Sequence, residues 1–137
     1  MHLFFYGLLQ GDVAPGPVRE LLAGIGPGLP ATARGKLYAV RDDTGAFPAM
    51  IEGEGEVRGM LHEAGSVDLA ALDAFEGAEY RRIEIEVGGG QVAQAYLWAG
   101  PVDGFEPIPH GDFACWLRET GHGAWNPRIL AFRGDEG

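Results

Sequence analysis

Cysteine and long apolar runs are scarce in this chain of 137 residues. A single cysteine excludes a disulfide framework within the chain and is typical of a protein from a reducing compartment. No apolar run approaches the ~20 residues that a membrane-spanning helix needs. At the N-terminus, no basic segment precedes an apolar run as it does in a signal peptide. The sequence therefore predicts a cytoplasmic protein without membrane contact.

Positive charge is also in short supply. Ten basic residues stand against 20 acidic ones, which gives a formal net charge of -10. Such an excess repels nucleic acid and anionic lipid surfaces, and no basic stripe interleaved with aromatic residues compensates for it. We therefore expect neither nucleic acid nor a membrane as a partner.

The residues that bind metals show no suitable pattern. The four histidines, His2, His62, His110 and His122, lack metal-ligand spacing. Cys115 falls inside the last predicted helix without a partner histidine nearby in the sequence, so it is interpreted as a buried structural cysteine. We predict that the protein uses no metal and no organic cofactor.

Glycine is abundant, with 23 residues, and its clusters divide the chain into short elements. Strands are predicted over Leu3–Tyr6, Ala31–Val40, Phe47–Ile51, Val57–Glu63, Tyr80–Val87 and Val92–Trp98, with turns at Asp42–Gly45, Glu54–Glu56 and Gly88–Gly90. Helices are predicted over Val18–Ala23, Val67–Glu76 and Phe113–Glu119, the last two capped by Ser66 and Asp112. This order predicts one α+β domain over 1–137, a small mixed or antiparallel barrel-like sheet with two or three short helices.

The predicted helix Val67–Glu76 carries the most informative acidic residue. Leu69, Leu72 and Glu76 share one face, so the two leucines draw Glu76 towards the apolar core. Burial and the helix dipole would both raise the pKa of the Glu76 carboxyl, which would make it a general base near neutral pH. Alternatively, the helix frays before Glu76, whose side chain then lies in solvent beside Gly77.

Six segments occur in one order: FFYGLLQGD, GKLYAV, FPAMI, VRGMLHE, LAALDAFEGAEYRR and the strand around Ala95 and Tyr96. Together they resemble the γ-glutamylcyclotransferase-like family, which includes the AIG2-like proteins, over about Leu3 to Trp98. The resemblance implies that Tyr6, Gly7, Leu8 and Leu9 hold the glutamyl moiety through backbone N–H groups. It also implies that Glu76 is the catalytic glutamate and that Tyr80 lies near the pocket. The family usually has serine or threonine where this chain has Leu8, so one hydroxyl is missing here.

The implied reaction closes a γ-glutamyl amine or amide to 5-oxoproline and releases a free amine. Glu76 would move the protons, and the substrate would be the protein's small-molecule partner. A second hypothesis keeps the fold but makes the domain a non-catalytic binding module. A third has the same chemistry act on a carrier-linked substrate. We expect a monomer or a weak homodimer.

Overall fold

The structure is a computed structural model that describes residues 1–7, 16–42 and 45–121, without the side chains of 16–18 and 42. In chain order its elements are β1 (His2–Phe5), α1 (Gly16–Leu21), β2 (Gly28–Asp42), β3 (Gly45–Glu63), α2 (Leu69–Glu76), β4 (Tyr80–Val87), β5 (Gln91–Trp98), β6 (Glu106–Pro107) and α3 (Phe113–Thr120).

Strands β1 to β5 close into a barrel. The order across the sheet is β3-β1-β5-β4-β2-β6, and a further pairing of β3 with β2 joins its two sides. Only the pairing of β1 with β5 is parallel among these described strands, and the other pairings are antiparallel. The predicted mixed, barrel-like α+β fold with short helices is confirmed.

After His2, the first strand is apolar because both of its faces are buried. Phe4 and Tyr6 face the core inside the barrel, together with Leu37, Met50 and Val57. Leu3 and Phe5 point the other way into a second cluster, which helix α2 covers. The end of β1 therefore lies between two apolar clusters, and this arrangement places the site described below.

The β4–β5 hairpin matches its prediction. Tyr80–Val87 is a strand over the predicted residues, and β5 begins one residue earlier than predicted, after the turn at 88–90.

The turn predicted at Glu54–Glu56 is wrong, because β3 runs unbroken from Gly45 to Glu63. Its pairing with β2 jumps from Glu56 opposite Arg34 to Ile51 opposite Lys36. The residues at 52–55 thus form a bulge, and their glycines and charges suit exposed backbone as well as they suit a turn.

Helix α3 follows its predicted bounds to within one residue, while α1 begins and ends two residues earlier than predicted. Helix α2 begins at Leu69 instead of Val67, because Asp68 and not Ser66 caps it by accepting a hydrogen bond from the Ala71 N–H at 3.1 Å. In α3, the predicted cap Asp112 accepts from the Cys115 N–H at 3.0 Å. Within the part of the chain that the structure describes, no helix is long and apolar enough to cross a membrane.

Candidate active site

A pocket opens where the end of β1 meets β3, β4, β5 and the end of α2. It holds about 320 Å³ of empty space, including its open mouth. Its walls are mostly aromatic, with one carboxylate; the lining residues are Phe4, Phe5, Tyr6, Gly7, Pro48, Glu76, Tyr80 and Tyr96.

Glu76 supplies the carboxylate of this pocket as the last residue of α2. Leu72 is fully buried one turn earlier, which fixes the helix face that carries both side chains. Glu76 is half-buried as a residue, and burial raises the pKa of its carboxyl from 4.5 to about 8. The helix reaches Glu76, so the frayed alternative is not the conformation that the structure has.

Gly77 ends the helix directly after the carboxylate. Its φ of 84° lies in a region that side chains disfavour, and its N–H donates to the Asp73 carbonyl at 3.1 Å. This cap sets the point at which the helix stops, and with it the position of Glu76 at the pocket wall.

Two tyrosines fix the polar geometry of the pocket. The Tyr6 hydroxyl donates to the carbonyl of Tyr96 and accepts from the Met50 N–H at 3.4 Å. The Tyr80 hydroxyl donates to the Pro48 carbonyl. Burial raises the pKa of both hydroxyls well above the ordinary value, so both stay protonated. Both hydroxyls therefore act as donors to the backbone, and Glu76 is the pocket residue with a pKa of about 8.

Gly7 brings backbone close to the pocket wall. A Cβ at this position would lie 2.1 Å from Pro48 Cγ and 2.8 Å from Pro48 Cδ. Any side chain would therefore displace the β1 end or the Pro48 ring. Glycine is required here for close packing.

The structure thus brings four of the predicted site residues, Tyr6, Gly7, Glu76 and Tyr80, into one pocket. Leu8 and Leu9 lie outside the described residues. The sequence analysis did not identify Pro48, for which no local signal exists.

A polar network beside the pocket was also not identified. Arg82 donates to both oxygens of the Asp73 carboxylate, at 2.8 and 3.3 Å, and to the side-chain carbonyl of Gln94. The Tyr96 hydroxyl donates to the same carboxylate at 2.6 Å, and hydrogen bonding to Arg82 lowers the Asp73 pKa. Asp73 precedes Glu76 by one helical turn. The network therefore ties the end of α2 to β4 and β5.

A second group of donor atoms lies far from this pocket in the fold, at α3. Atoms of His110, Cys115 and Glu119 lie within 4.8 Å of one another, and His110 Nε2 is 2.7 Å from Glu119 Oε1. Cys115 is half-buried instead of buried as interpreted, and His110 lies beside it. His110 and Glu119 are exposed and already contact each other, which accounts for the arrangement as a surface hydrogen bond.

Comparison with known proteins identifies the family of the chain. Residues 3–116 match the family described as "Gamma-glutamyl cyclotransferase, AIG2-like". The match extends over most of the chain, and the protein belongs to this family.

The individual relatives share at most 37% of their aligned residues with this chain. The "Gamma-glutamylcyclotransferase family protein YtfP" of Escherichia coli K12 is 37% identical over 75 residues, which make up 53% of this chain and 63% of YtfP. The chain thus spans less than two thirds of that relative. The fold is similar to the crystal structure of YkqA from Bacillus subtilis, with a TM-score of 0.69 and 24% identity over 88% of this chain and 42% of YkqA. It is also similar to the solution structure of ytfP from E. coli, with a TM-score of 0.58 and 26% identity over 88% and 99% of the two chains.

Proposed function

We propose that the protein is a cyclotransferase that converts a γ-glutamyl amine or amide into 5-oxoproline and a free amine, with Glu76 as general acid and base. The observation that carries this proposal is the Glu76 carboxylate in the pocket wall, with its pKa raised to about 8. A carboxylate of that pKa is half-protonated near pH 8 and is suited to accept and return a proton.

The reaction needs no external nucleophile. The α-amine of the substrate attacks the γ-carbonyl carbon, a C–N bond forms, and the bond from that carbon to the leaving nitrogen breaks. Glu76 accepts protons from the α-nitrogen and delivers them to the leaving nitrogen. Two protons leave the α-nitrogen and both end on the released amine, so no water, oxidant or net proton is consumed.

The remaining pocket residues hold the folded substrate. In this proposal, which follows the family resemblance, backbone N–H groups of Gly7, Leu8 and Leu9 bind the glutamyl moiety. Tyr6 and Tyr80 keep the surrounding backbone in place through their bonds to Tyr96 and Pro48. Positioning of this kind can supply about 7–11 kcal/mol in well-oriented intramolecular reactions.

The test is release of 5-oxoproline from a panel of γ-glutamyl compounds: γ-glutamyl amino acids, γ-glutamyl-ε-lysine, glutathione and simple γ-glutamylamines. We expect turnover of at least one compound by the native protein and a loss of about 10²- to 10⁴-fold in Glu76→Gln. Glu119→Gln is the matched control, because Glu119 also lies in the last turn of an eight-residue helix but is exposed. It should retain native activity.

Three results would contradict parts of this proposal. Release that persists in Glu76→Gln would show that another residue is the base. No release from any compound by a folded protein would favour the non-catalytic binding module. If a carrier-linked γ-glutamyl compound is added to the panel and only this compound releases 5-oxoproline, the proposed reaction stands and the proposed substrate is wrong.

A further inference from the structure

We propose that Asp73 and Arg82, which do not line the pocket, are positioning residues for Glu76. Their ion pair holds the last turn of α2 at the pocket wall and leaves no net charge on the part of the helix beside Glu76. The proposal rests on the proposed function of Glu76 as the base and names two further residues on which that function depends.

A connected set of hydrogen bonds joins α2 to the strands around the pocket. Asp73 of α2 accepts from Arg82 of β4 at 2.8 and 3.3 Å and from the Tyr96 hydroxyl of β5 at 2.6 Å. The Tyr96 carbonyl in turn accepts from the Tyr6 hydroxyl directly after β1, and this hydroxyl accepts from the Met50 N–H of β3. The end of each element that meets at the pocket is therefore tied to the others through this set.

The ion pair acts on Glu76 through the geometry of the helix. Asp73 and Glu76 are three residues apart, which makes their side chains neighbours on the helix surface. The planar guanidinium of Arg82 bonds both oxygens of the Asp73 carboxylate, and such a bidentate pair fixes orientation as well as distance. A change at either partner therefore lets the last turn of α2 shift, and the Glu76 carboxylate shifts with it.

The pair also cancels its own charge beside Glu76. Hydrogen bonding to Arg82 lowers the pKa of the Asp73 carboxyl against a smaller effect of burial, so this carboxylate is ionised at neutral pH and balances the guanidinium. The Asp73 and Arg82 side chains are 43% and 26% exposed, so solvent weakens the effect of either charge without removing it. With both charges present, burial is the cause that raises the pKa of Glu76.

The other titratable groups that face Glu76 from the strands are three hydroxyls of the pocket wall: Tyr6, Tyr80 and Tyr96. Burial raises the pKa of all three, so they stay neutral at the pH of the test. The pocket residue from β3, Pro48, does not titrate. Glu79 is an exposed carboxylate between α2 and β4, and it is the same in every variant proposed below.

Two substitutions with opposite effects on charge test the inference. Arg82→Gln leaves the Asp73 carboxylate unbalanced, which disfavours a second negative charge and should raise the Glu76 pKa by about 0.5. Asp73→Asn leaves the guanidinium unbalanced and should lower the Glu76 pKa by a similar amount. The measurement is an NMR titration of the ¹³C-labelled side-chain carboxyl in the ligand-free full chain, assigned by its absence from Glu76→Gln. Simple loosening of the helix would expose the carboxyl and lower its pKa in both variants.

Turnover separates position from charge. Arg82→Lys keeps the positive charge and loses the planar fork. Its Glu76 titration should be native, while kcat for 5-oxoproline release should fall about three- to tenfold and KM should change less than about twofold. Arg34→Gln is the matched control, because it removes an exposed arginine beside the far end of β4, where Ala33 pairs with Val87. It should keep the native titration and the native kcat.

The outcomes for the two proposals are separable. Opposite shifts of the Glu76 titration uphold the inference whether or not the protein turns over any γ-glutamyl compound. Shifts in the same direction, no shift, or native kcat in Arg82→Lys overturn it, while turnover by the native protein still upholds the cyclotransferase. If Arg82→Gln does not fold, Asp73→Asn is compared with Arg82→Lys. A lower pKa in Asp73→Asn alone upholds the inference, and a lower pKa in both overturns it.

Discussion

Helices α2 and α3 are built alike and end differently. Each has eight residues, an aspartate cap at its N-terminus and a glycine with positive φ at its C-terminus. Each also carries a glutamate in its last turn. Glu76 ends in a pocket wall with its pKa raised by burial, whereas Glu119 is exposed and contacts His110.

The difference comes from what each helix covers. Helix α2 lies on the cluster of Leu3 and Phe5 beside the end of β1, so its last residue projects over an open part of the barrel. Helix α3 packs Phe113 and Trp116 against the core inside the barrel and leaves its C-terminal residues outside. Local helix chemistry is thus shared, and the surface beneath the helix determines what a glutamate can do.

The largest expected effect is on the pH dependence of turnover. Because the base must be ionised and its pKa is about 8, kcat/KM should rise about tenfold per pH unit from pH 6 and level off near pH 8. Initial rates of 5-oxoproline release across that range provide the measurement. Glu119→Gln should show the native profile. A profile that is flat above pH 6 would contradict a base with a raised pKa.

The same carboxyl should make stability depend on pH. Its folded pKa lies above the ordinary 4.5, so its contribution is fully present below pH 4.5 and is lost as pH rises through about 8. Glu76→Gln removes this loss and should gain on the order of 2 kcal/mol over the native protein at pH 9, after discounting for partial exposure. Urea unfolding at pH 5 and pH 9 measures it. Equal pH dependence in native and variant proteins would refute this account.

The two C-terminal glycines should differ in the cost of substitution. Gly77 has φ 84° and ψ -178°, a conformation nearly restricted to glycine, and Gly121 has φ 72° and ψ 11°. An added Cβ would meet no atom within 4 Å at either position, so the cost is conformational. We expect Gly77→Ala to lose about 2 kcal/mol and Gly121→Ala about 1 kcal/mol in thermal unfolding. Only Gly77→Ala should also lower kcat/KM, because a change in the backbone at residue 77 would move the adjacent carboxylate of Glu76.

The smallest effect is expected at the N-terminal caps. Asp68→Ala and Asp112→Ala each remove one hydrogen bond to a backbone N–H and should cost about 1 kcal/mol. Equilibrium unfolding should therefore give similar losses for the two variants. Asparagine at either position retains an acceptor oxygen and should restore most of the stability. If asparagine fails at one cap, that aspartate acts through its charge.

The sequence predicted best what depends on local periodicity. Alternation along Tyr80–Val87 gave that strand, and the spacing of Leu69, Leu72 and Glu76 placed the carboxylate on the covered face of α2. The long β3 was missed because its bulge at 52–55 has the composition of a turn. An exposed bulge and a hairpin turn both favour glycine and charged residues, so the composition of this segment does not distinguish them.

The pocket could be predicted only in part. The helix face predicted Glu76, and the family resemblance indicated Gly7 as well as Glu76. Pro48 comes from a distant strand, and its contact with Tyr80 exists only after the barrel has closed. Asp73 has the pattern of an exposed helix residue, and its bonds to Arg82 and Tyr96 depend on where β4 and β5 lie.

The parallel pairing of β1 with β5 has a consequence for how the chain acquires its site. Leu3 pairs with Gln94, and the Tyr6 hydroxyl bonds a carbonyl 90 residues further along. During synthesis, the first strand emerges long before its parallel neighbour, so one edge stays open until β5 has left the ribosome. No N-terminal fragment that ends before β5 can form the pocket. A ligand that fills the pocket therefore contacts both the first and the last strand of the barrel. Its binding free energy adds to the stability of the whole barrel.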